Sequence, residues 1–216
     1  MNFTKTIFAL AIGSVGIMGA MSASAATLTN GSVLSISTGS VSSYGAATTG
    51  TTSWFAMDNN GDSKVALTEK VALFQGTDGI VIGTPQTGLT DIVAAWSFFS
   101  ATGYNYTPTT AITGSTESGL NMSGWMVNWN GGDIDMGAGG AWQPLNTAVA
   151  GMAAGPYTNS TAIFTWDGTD GGAYTLDYTA TVPTGGFAGV QYALHLSGNV
   201  ALAPVPEAST YGMMLA

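Results

Sequence analysis

The strongest constraint on the fold of this chain is a period-two alternation of apolar and polar residues. The clearest case is the segment 174–182, which ends before Pro183. Its two faces are Tyr174, Leu176, Tyr178, Ala180 and Val182 on one side, and Thr175, Asp177, Thr179 and Thr181 on the other. Alternation of this kind is typical of a β-strand with one buried face, and it disfavours an amphipathic helix.

Further segments of strand character occur along the chain, separated by Gly, Asn, Asp and Pro: 33–37, 79–82, 96–100, 125–129, 162–166 and 190–197. In the last of these, His195 falls on the polar face with Gln191 and Ser197 and is expected to be a surface residue. Many short strands with turn residues between them predict an all-β fold, an antiparallel β-sandwich of jelly-roll-like type.

The charge of the chain excludes several classes of function. Lysine and arginine together number 3, and all three are lysines: Lys5, Lys64 and Lys70. A chain with no arginine cannot neutralise a row of phosphates, so nucleic acid is not a predicted partner. The absence of cysteine rules out disulfides and thiol chemistry, and a single histidine leaves little scope for a catalytic triad.

The first 26 residues predict a secretory signal peptide. Lys5 and the amino terminus supply the positive charge, an apolar run begins at Ile7, and Ala23-Ser24-Ala25 provides a cleavage site. Gly and Ser interrupt the apolar run, which is too short for a membrane-spanning helix. Removal of this segment leaves two lysines against twelve acidic residues, a net charge of about −10.

The segment 58–69 resembles the twelve-residue calcium loop of an EF-hand. Its candidate ligands are the side chains of Asp58, Asn60 and Asp62, the carbonyl of Lys64 and the closing carboxylate of Glu69. Ca²⁺ takes six to eight oxygens, and side chains two residues apart on a curled loop can converge on one point. Calcium is therefore the one predicted cofactor. The alternative is a metal-free turn rich in Asn, Asp and Gly.

Two details of this loop give separate expectations. Ser63 stands where the EF-hand pattern has glycine, so it should adopt a strained left-handed conformation costing on the order of 1 kcal/mol. The flanking segments 53–57 and 69–75 are expected to form the short entering and exiting helices, a helical insertion in the β-fold.

Other acidic and aromatic residues leave two interpretations open. The pairs Asp133/Asp135 and Asp167/Asp170 could serve a glycosidase or a second calcium site, but acids among glycines commonly form turns. The tryptophans at 96, 125, 129, 142 and 166 could stack on sugars if exposed, although in alternating strands such residues are more often core.

The segment 204–216 resembles the start of a PEP-CTERM sorting domain. Val205, Pro206 and Glu207 match the family motif, Ala208 replaces its second proline, and Ser209 to Tyr211 fit the pattern that follows. The sequence ends where the membrane helix of the family pattern should begin and lacks its basic cluster, so we expect either a fragment or a protein that has lost its membrane anchor. The resemblance implies recognition by an exosortase and a location outside the cell or at the surface of a Gram-negative bacterium.

These features predict three parts: a signal peptide (1–26), a β-sandwich domain (27–203) and the start of a sorting segment (204–216). The leading hypothesis is a non-enzymatic protein of the cell surface or the biofilm matrix, with a structural or adhesive role and calcium-stabilised. Extracellular polysaccharide is a candidate partner. The alternatives are a carbohydrate-binding module and a glycan hydrolase or lyase.

The signal peptide gives the first testable prediction. The exported protein should begin at Ala26 or Thr27, because signal peptidase cleaves after small residues such as Ala25 or Ala26. Amino-terminal sequencing of the protein recovered outside the cytoplasm checks this expectation. An exported protein that still begins at Met1 would contradict it.

Overall fold

A computed structural model describes residues 28–39, 53–75, 79–87, 94–98, 103–146 and 149–204. Within these ranges the regular structure is β, apart from two single 3₁₀ turns at Leu67–Glu69 and Gly185–Phe187. The strands are β1 Val33–Leu34, β2 Trp54–Met57, β3 Lys70–Gln75, β4 Ile80–Val81, β5 Trp96–Phe98, β6 Gly103–Tyr106, β7 Gly114–Ser115, β8 Gly119–Asn121, β9 Met126–Trp129, β10 Gly132–Asp135, β11 Thr161–Trp166, β12 Ala173–Thr181 and β13 Gln191–Ala201.

The strands form one continuous antiparallel sheet. Eleven of them follow the order β10-β9-β6-β5-β3-β2-β13-β12-β11-β8-β7, while β1 pairs with β13 and β4. The centre is the long hairpin of β12 and β13, in which Thr181 pairs with Gln191 and Ala173 with Asn199. The alternation in the sequence predicted both strands of this hairpin.

A short connection forces this sheet to curl. β8 and β9 are consecutive in the chain, yet seven strands lie between them in the sheet. In a flat sheet that separation would be about 38 Å. The chain from Asn121 to Met126 covers five residue steps and can span only about 19 Å. The two ends of the sheet must therefore approach each other, with residues 122–125 crossing between them.

The main hydrophobic core lies on the inner face of the curled sheet. Its largest fully buried side chains include Trp96, Trp125, Tyr178 and Tyr192. The hydroxyls of Tyr178 and Tyr192 donate to the carbonyls of Gly137 and Met136, which belong to the segment following β10. These bonds hold that segment against the centre of the sheet.

A second layer covers part of the outer face. Segments 141–146 and 149–157 run over β12, β13, β2 and β3. A smaller apolar cluster joins these segments to the sheet: Trp54, Ala56, Val65, Trp142, Val149 and Ala193. The Thr179 hydroxyl donates to the Trp142 carbonyl. The face that the sequence pattern marked as polar is thus partly buried, with Asp177 and Thr179 each no more than 1% exposed.

The molecule has two distinct ends along the axis of β13, about 34 Å apart. At one end the Asp58 N–H donates to the Gln191 carbonyl (2.8 Å), which places the loop 58–69 beside the β12–β13 turn. At the other end the Ala203 N–H donates to the Ser32 hydroxyl (3.2 Å). The first and last described residues therefore leave the sheet at the end opposite the loop.

The predicted all-β antiparallel class is confirmed. The described strands form one curled sheet, so the β-sandwich of jelly-roll-like type stays a prediction. The predicted helices around the loop were wrong. Segment 53–57 contains β2 and segment 69–75 contains β3. The single 3₁₀ turn here, Leu67–Glu69, ends the loop directly before β3. Pairing of β2 with β13 and of β3 with β5 determines their conformation, overriding a short apolar pattern that is ambiguous alone.

Close packing of backbone on β13 gives a stability prediction. A Cβ added at Gly198 would lie 1.8 Å from the Ser35 carbonyl oxygen and 3.1 Å from the Tyr174 ring. Because backbone has to move to relieve this overlap, Gly198→Ala should lower the free energy of unfolding by about 2 kcal/mol or more. Urea denaturation measures the change.

Gly132→Ala is the matched control. Its added Cβ would meet only the Trp129 carbonyl oxygen at 3.6 Å, an ordinary contact in strand β10. Its unfolding free energy should stay within about 0.5 kcal/mol of the parent protein. Equal losses in the two variants would show that the crowding at Gly198 is not the cause.

Candidate functional site

The loop 58–69 is tightly curled around the Asp58 carboxylate. One oxygen of Asp58 accepts the N–H groups of Gly61 (2.8 Å) and Asp62 (3.1 Å), and the other accepts that of Ser63 (2.8 Å). Ser63 has a φ of 59°, so the predicted left-handed conformation at this position is confirmed. Gly61 is also left-handed, with a φ of 72°. Three backbone N–H donors and one acid side chain thus shape the loop, together with Asn60, whose amide oxygen accepts from Asp62 (2.8 Å).

Glu69 closes the loop onto its own beginning. Its carboxylate oxygens accept the N–H groups of Asn59 (3.1 Å) and Ala66 (2.9 Å). The 3₁₀ turn Leu67–Glu69 positions this side chain, with Ala66 at its start. The twelfth residue of the segment therefore returns to the second, which is the closure that a calcium loop requires.

A side-chain amide supports the exit from the loop. Asn146 accepts the Val65 N–H (3.0 Å) and donates to the Val65 carbonyl (2.9 Å). The Leu145 N–H donates to the Ser63 carbonyl (2.8 Å). Segment 141–146 is therefore joined to residues 63–65 by one backbone hydrogen bond and by two hydrogen bonds of the Asn146 side chain, which support the exit of the loop.

The carboxylates of the loop point toward its own backbone and do not converge on a common point. Within the described ranges, no three His, Asp or Glu side chains gather around a point where a metal ion could be held. Asp58, Asp62 and Glu69 instead accept N–H bonds of the loop, including Lys64 N–H to Asp62 at 2.9 Å. Binding of Ca²⁺ would require some of these oxygens to turn from N–H donors toward the ion.

A second chemical feature lies on the outer face of the sheet, and we call it the buried ladder: Lys70, Trp54, His195 and Asp177. Trp54, His195 and Asp177 are directly opposite one another on β2, β13 and β12. The His195 Nδ1 lies 2.7 Å from an Asp177 oxygen, and its ring stacks on Trp54 at a centroid distance of 5.7 Å. Lys70 Nζ lies 3.7 Å from the centroid of the Trp54 ring, a cation–π contact.

All four side chains of the ladder are 4% exposed or less. Lys70 donates to the Ala150 carbonyl (2.9 Å), and the second Asp177 oxygen accepts the Ala153 N–H (2.9 Å). Burial lowers the pKa of Lys70 to about 8, an effect that the nearby Asp177 carboxylate partly opposes. The ladder therefore attaches the segment 149–157 to the sheet through one buried cation and one buried anion.

The position of His195 corrects the sequence-based expectation of a surface histidine. The residue is 2% exposed and paired with an acid. Periodicity places Asp177 and His195 on polar strand faces but says nothing of the register that makes them opposite. The register follows from the pairing of Thr181 with Gln191 across a nine-residue connection, which also brings Asp177 opposite His195, and no turn motif in the sequence specifies it. An Asp–His pair orients an imidazole in many hydrolases; here Trp54 and segment 149–157 cover it.

The remaining acids highlighted by the sequence all accept hydrogen bonds from other groups of the chain. Asp133 accepts a hydrogen bond from the Asn128 amide (2.7 Å). Burial, together with the nearby Asp133, raises the pKa of Tyr106 to about 12. Asp135 accepts the N–H groups of residues 137 and 138. Asp167 accepts the N–H and hydroxyl of residue 169, which lowers the pKa of its carboxyl, and Asp170 accepts the N–H of residue 202. The contacts of Asp135 and Asp167 fit the turn interpretation, whereas Asp133 lies in β10 and bonds across the strand pair to β9, and Asp170 bonds to the chain just after β13.

Most of the tryptophans belong to the core. Trp96 and Trp125 are fully buried, while Trp142 and Trp166 are 5% and 7% exposed. Trp129 is half-buried and packs against the main core. The predicted core role is confirmed for the four buried rings, and a sugar platform made of these residues loses its support.

The predicted signal peptide (1–26) and the sorting residues Val205, Pro206 and Glu207 lie outside the described residues. Across the described ranges, we find no helix with the length and apolar character needed to cross a membrane. Comparison with protein-family models, curated proteins and solved structures gives no match.

The buried lysine gives a pH prediction. The pKa of Lys70 is lower in the folded protein, about 8, than its ordinary 10.5. Between these values the unfolded chain binds more protons, so stability should rise with pH in that window. Relative to Lys70→Met, the parent protein should gain about 1 to 2 kcal/mol in unfolding free energy between pH 7 and pH 9.5.

Lys64→Met provides the control, because Lys64 is exposed. Urea unfolding of the three proteins at both pH values separates the effects, and tyrosine titration is common to all of them. If the difference between parent and Lys70→Met is the same at both pH values, burial does not lower the pKa of this lysine.

Proposed function

We propose that this chain is an exported protein of the cell surface or extracellular matrix, with a structural or adhesive role, and that calcium stabilises the loop 58–69. The observation that carries the proposal is the separation of the two ends of the sheet. The described termini leave at one end, and the loop occupies the other. A chain tethered through its sorting segment would present the loop outward.

The exposed apolar side chains support an adhesive end. Among the described residues, the exposed large hydrophobics are Leu67, Phe74, Leu145 and Phe187. Leu67 lies in the loop, the Leu145 N–H bonds to it, and Phe187 lies in the β12–β13 turn at the same end, whereas Phe74 is in β3. Exposed apolar groups collected in one region favour contact with another molecule.

Export itself is supported by the sequence. The predicted signal peptide directs the chain across the inner membrane, and Val205, Pro206 and Glu207 match the motif read by an exosortase. We propose an exosortase as the processing partner and extracellular polysaccharide as the surroundings of the mature protein.

The proposed calcium ligands are the side chains of Asp58, Asn60 and Asp62, the carbonyl of Lys64 and the carboxylate of Glu69. Support comes from the left-handed Ser63 and from the return of Glu69 to the start of the loop. The competing N–H bonds and the lysine within the loop favour modest affinity, with Kd on the order of 10⁻⁴ to 10⁻³ M as in extracellular modules.

The two alternative functions gain less support. A carbohydrate-binding module needs exposed aromatic rings, whereas Trp96 and Trp125 are fully buried. A glycan hydrolase needs two carboxylates across a cleft, whereas Asp133 and Asp167 are held in local hydrogen bonds.

Calcium should raise the stability of the folded domain. At 10 mM Ca²⁺ the proposed Kd range corresponds to a gain of about 1.4 to 2.7 kcal/mol over protein in EDTA, because the ion binds only the folded loop. Glu69→Gln should abolish that gain, since it removes the closing carboxylate. Thermal melting in EDTA and in calcium measures both effects.

Glu117→Gln is the matched control, since it removes an exposed acid in the turn between β7 and β8. This variant should keep the full calcium-induced rise. In EDTA, Glu69→Gln should be destabilised by about 1 kcal/mol, because an amide oxygen replaces only one of two acceptors. A calcium shift of equal size in both variants, or none in the parent protein, would identify the loop as a metal-free turn.

A further inference from the structure

In the part of the core that the structure describes, three buried side-chain nitrogens have no hydrogen-bond partner. They are Nε1 of Trp96, Nε1 of Trp125 and Nδ2 of Asn105, and the three residues are at most 1% exposed. A buried donor left without an acceptor costs about 1–3 kcal/mol, and folded proteins keep very few of them. Three together therefore require an explanation.

The three residues are neighbours. Asn105 lies opposite Trp96 in the β5–β6 pair, and its amide oxygen accepts the Trp96 backbone N–H at 2.6 Å. The same amide therefore uses its acceptor and leaves its NH₂ group free. The rings of Trp96 and Trp125 are in contact, with centroids 5.5 Å apart. The unpaired donors thus belong to one region of the core, beside the link between β8 and β9.

Tyr192 borders this region. Its ring meets that of Trp125 edge-on, with centroids 5.7 Å apart, and its hydroxyl donates to the Met136 carbonyl. The oxygen of that hydroxyl keeps a lone pair. Burial raises the pKa of Tyr192, and the nearby Trp125 indole N–H acts in the opposite direction, although its contact with the Tyr192 hydroxyl does not have the geometry of a hydrogen bond.

The chemistry of the donors restricts what can bind. Indole and amide N–H groups are neutral hydrogen-bond donors. Their positive ends repel a metal ion and favour an oxygen that accepts hydrogen bonds. The surrounding cluster is apolar and aromatic, and Lys70 lies on the opposite face of the sheet. An anion would therefore lack a compensating charge, which makes its burial costly.

We propose that Trp96, Asn105 and Trp125 form an internal binding site for a neutral hydrogen-bond acceptor. The acceptor is the oxygen of a small organic molecule or of a trapped water, which typically makes about three hydrogen bonds to otherwise unpaired groups. This site is on the inner face of the sheet and is independent of the calcium loop and of the proposed function.

Nuclear magnetic resonance of protein labelled with ¹⁵N in its indoles tests the site. Trp166 serves as an internal reference, because its Nε1 donates to the Thr169 carbonyl at 2.9 Å. We expect the indole N–H signals of Trp96 and Trp125 to be shifted downfield as far as that of Trp166 and to exchange slowly. Each should show a nuclear Overhauser effect to an occupant that is not protein.

Trp96→Phe and Trp125→Phe each remove one indole signal and identify it. If either variant does not fold, the contacts of each indole N–H with its own ring protons give the same assignment in the parent protein. A long-lived water signal identifies water, and additional mass in native mass spectrometry identifies an organic ligand. Either result supports the site. Absence of any occupant contact at both indoles would overturn the proposal, whether their N–H signals lie upfield or are shifted downfield by a bond within the protein.

Discussion

The closure of the sheet depends on one short connection. Residues 122–125 join β8 and β9, which lie near opposite ends of the strand order in the sheet. The sheet therefore curls and encloses an interior. Trp125 lies within this connection and packs against Trp96 and Tyr192, so the segment that imposes the curl also fills the space that it creates. Trp125, one of the three residues of the proposed acceptor site, belongs to this connection, and the other two lie beside it on β5 and β6.

The outer face is organised differently, because it buries charged side chains together with its aromatic rings. Lys70 and Asp177 lie at the two ends of a row that includes Trp54 and His195, and each binds the backbone of segment 149–157. Buried charges add little to stability compared with apolar residues of similar volume, but they specify a unique partner. In this domain they bond to Ala150 and Ala153, in a segment that is not itself a strand of the sheet. The loop 58–69 is attached to the same outer layer through Asn146.

The sequence predicted the strands better than the contacts between them. Alternation identifies the buried face of residues 174–182, because side-chain direction in a strand is a local property. Ser63 was also predictable, since a curled loop requires a left-handed residue at that position. The burial of His195 depends on hairpin register and on a covering segment distant in the chain, neither of which periodicity encodes. The strands at 54–57 and 70–75 replaced predicted helices for the same reason: their conformation is determined by neighbours far along the chain.

The pairing of β13 has a mechanical consequence. This strand continues almost directly into residue 204, and it is bonded along its length to β12 through nine residue pairs and to β2 through four. When the tail is pulled while the far end of the domain is held, the force runs parallel to the strand. The hydrogen bonds on both sides then bear the load in shear and must break together. A pull across the strands would instead open them one pair at a time, so resistance to force is greatest along the axis from tail to loop.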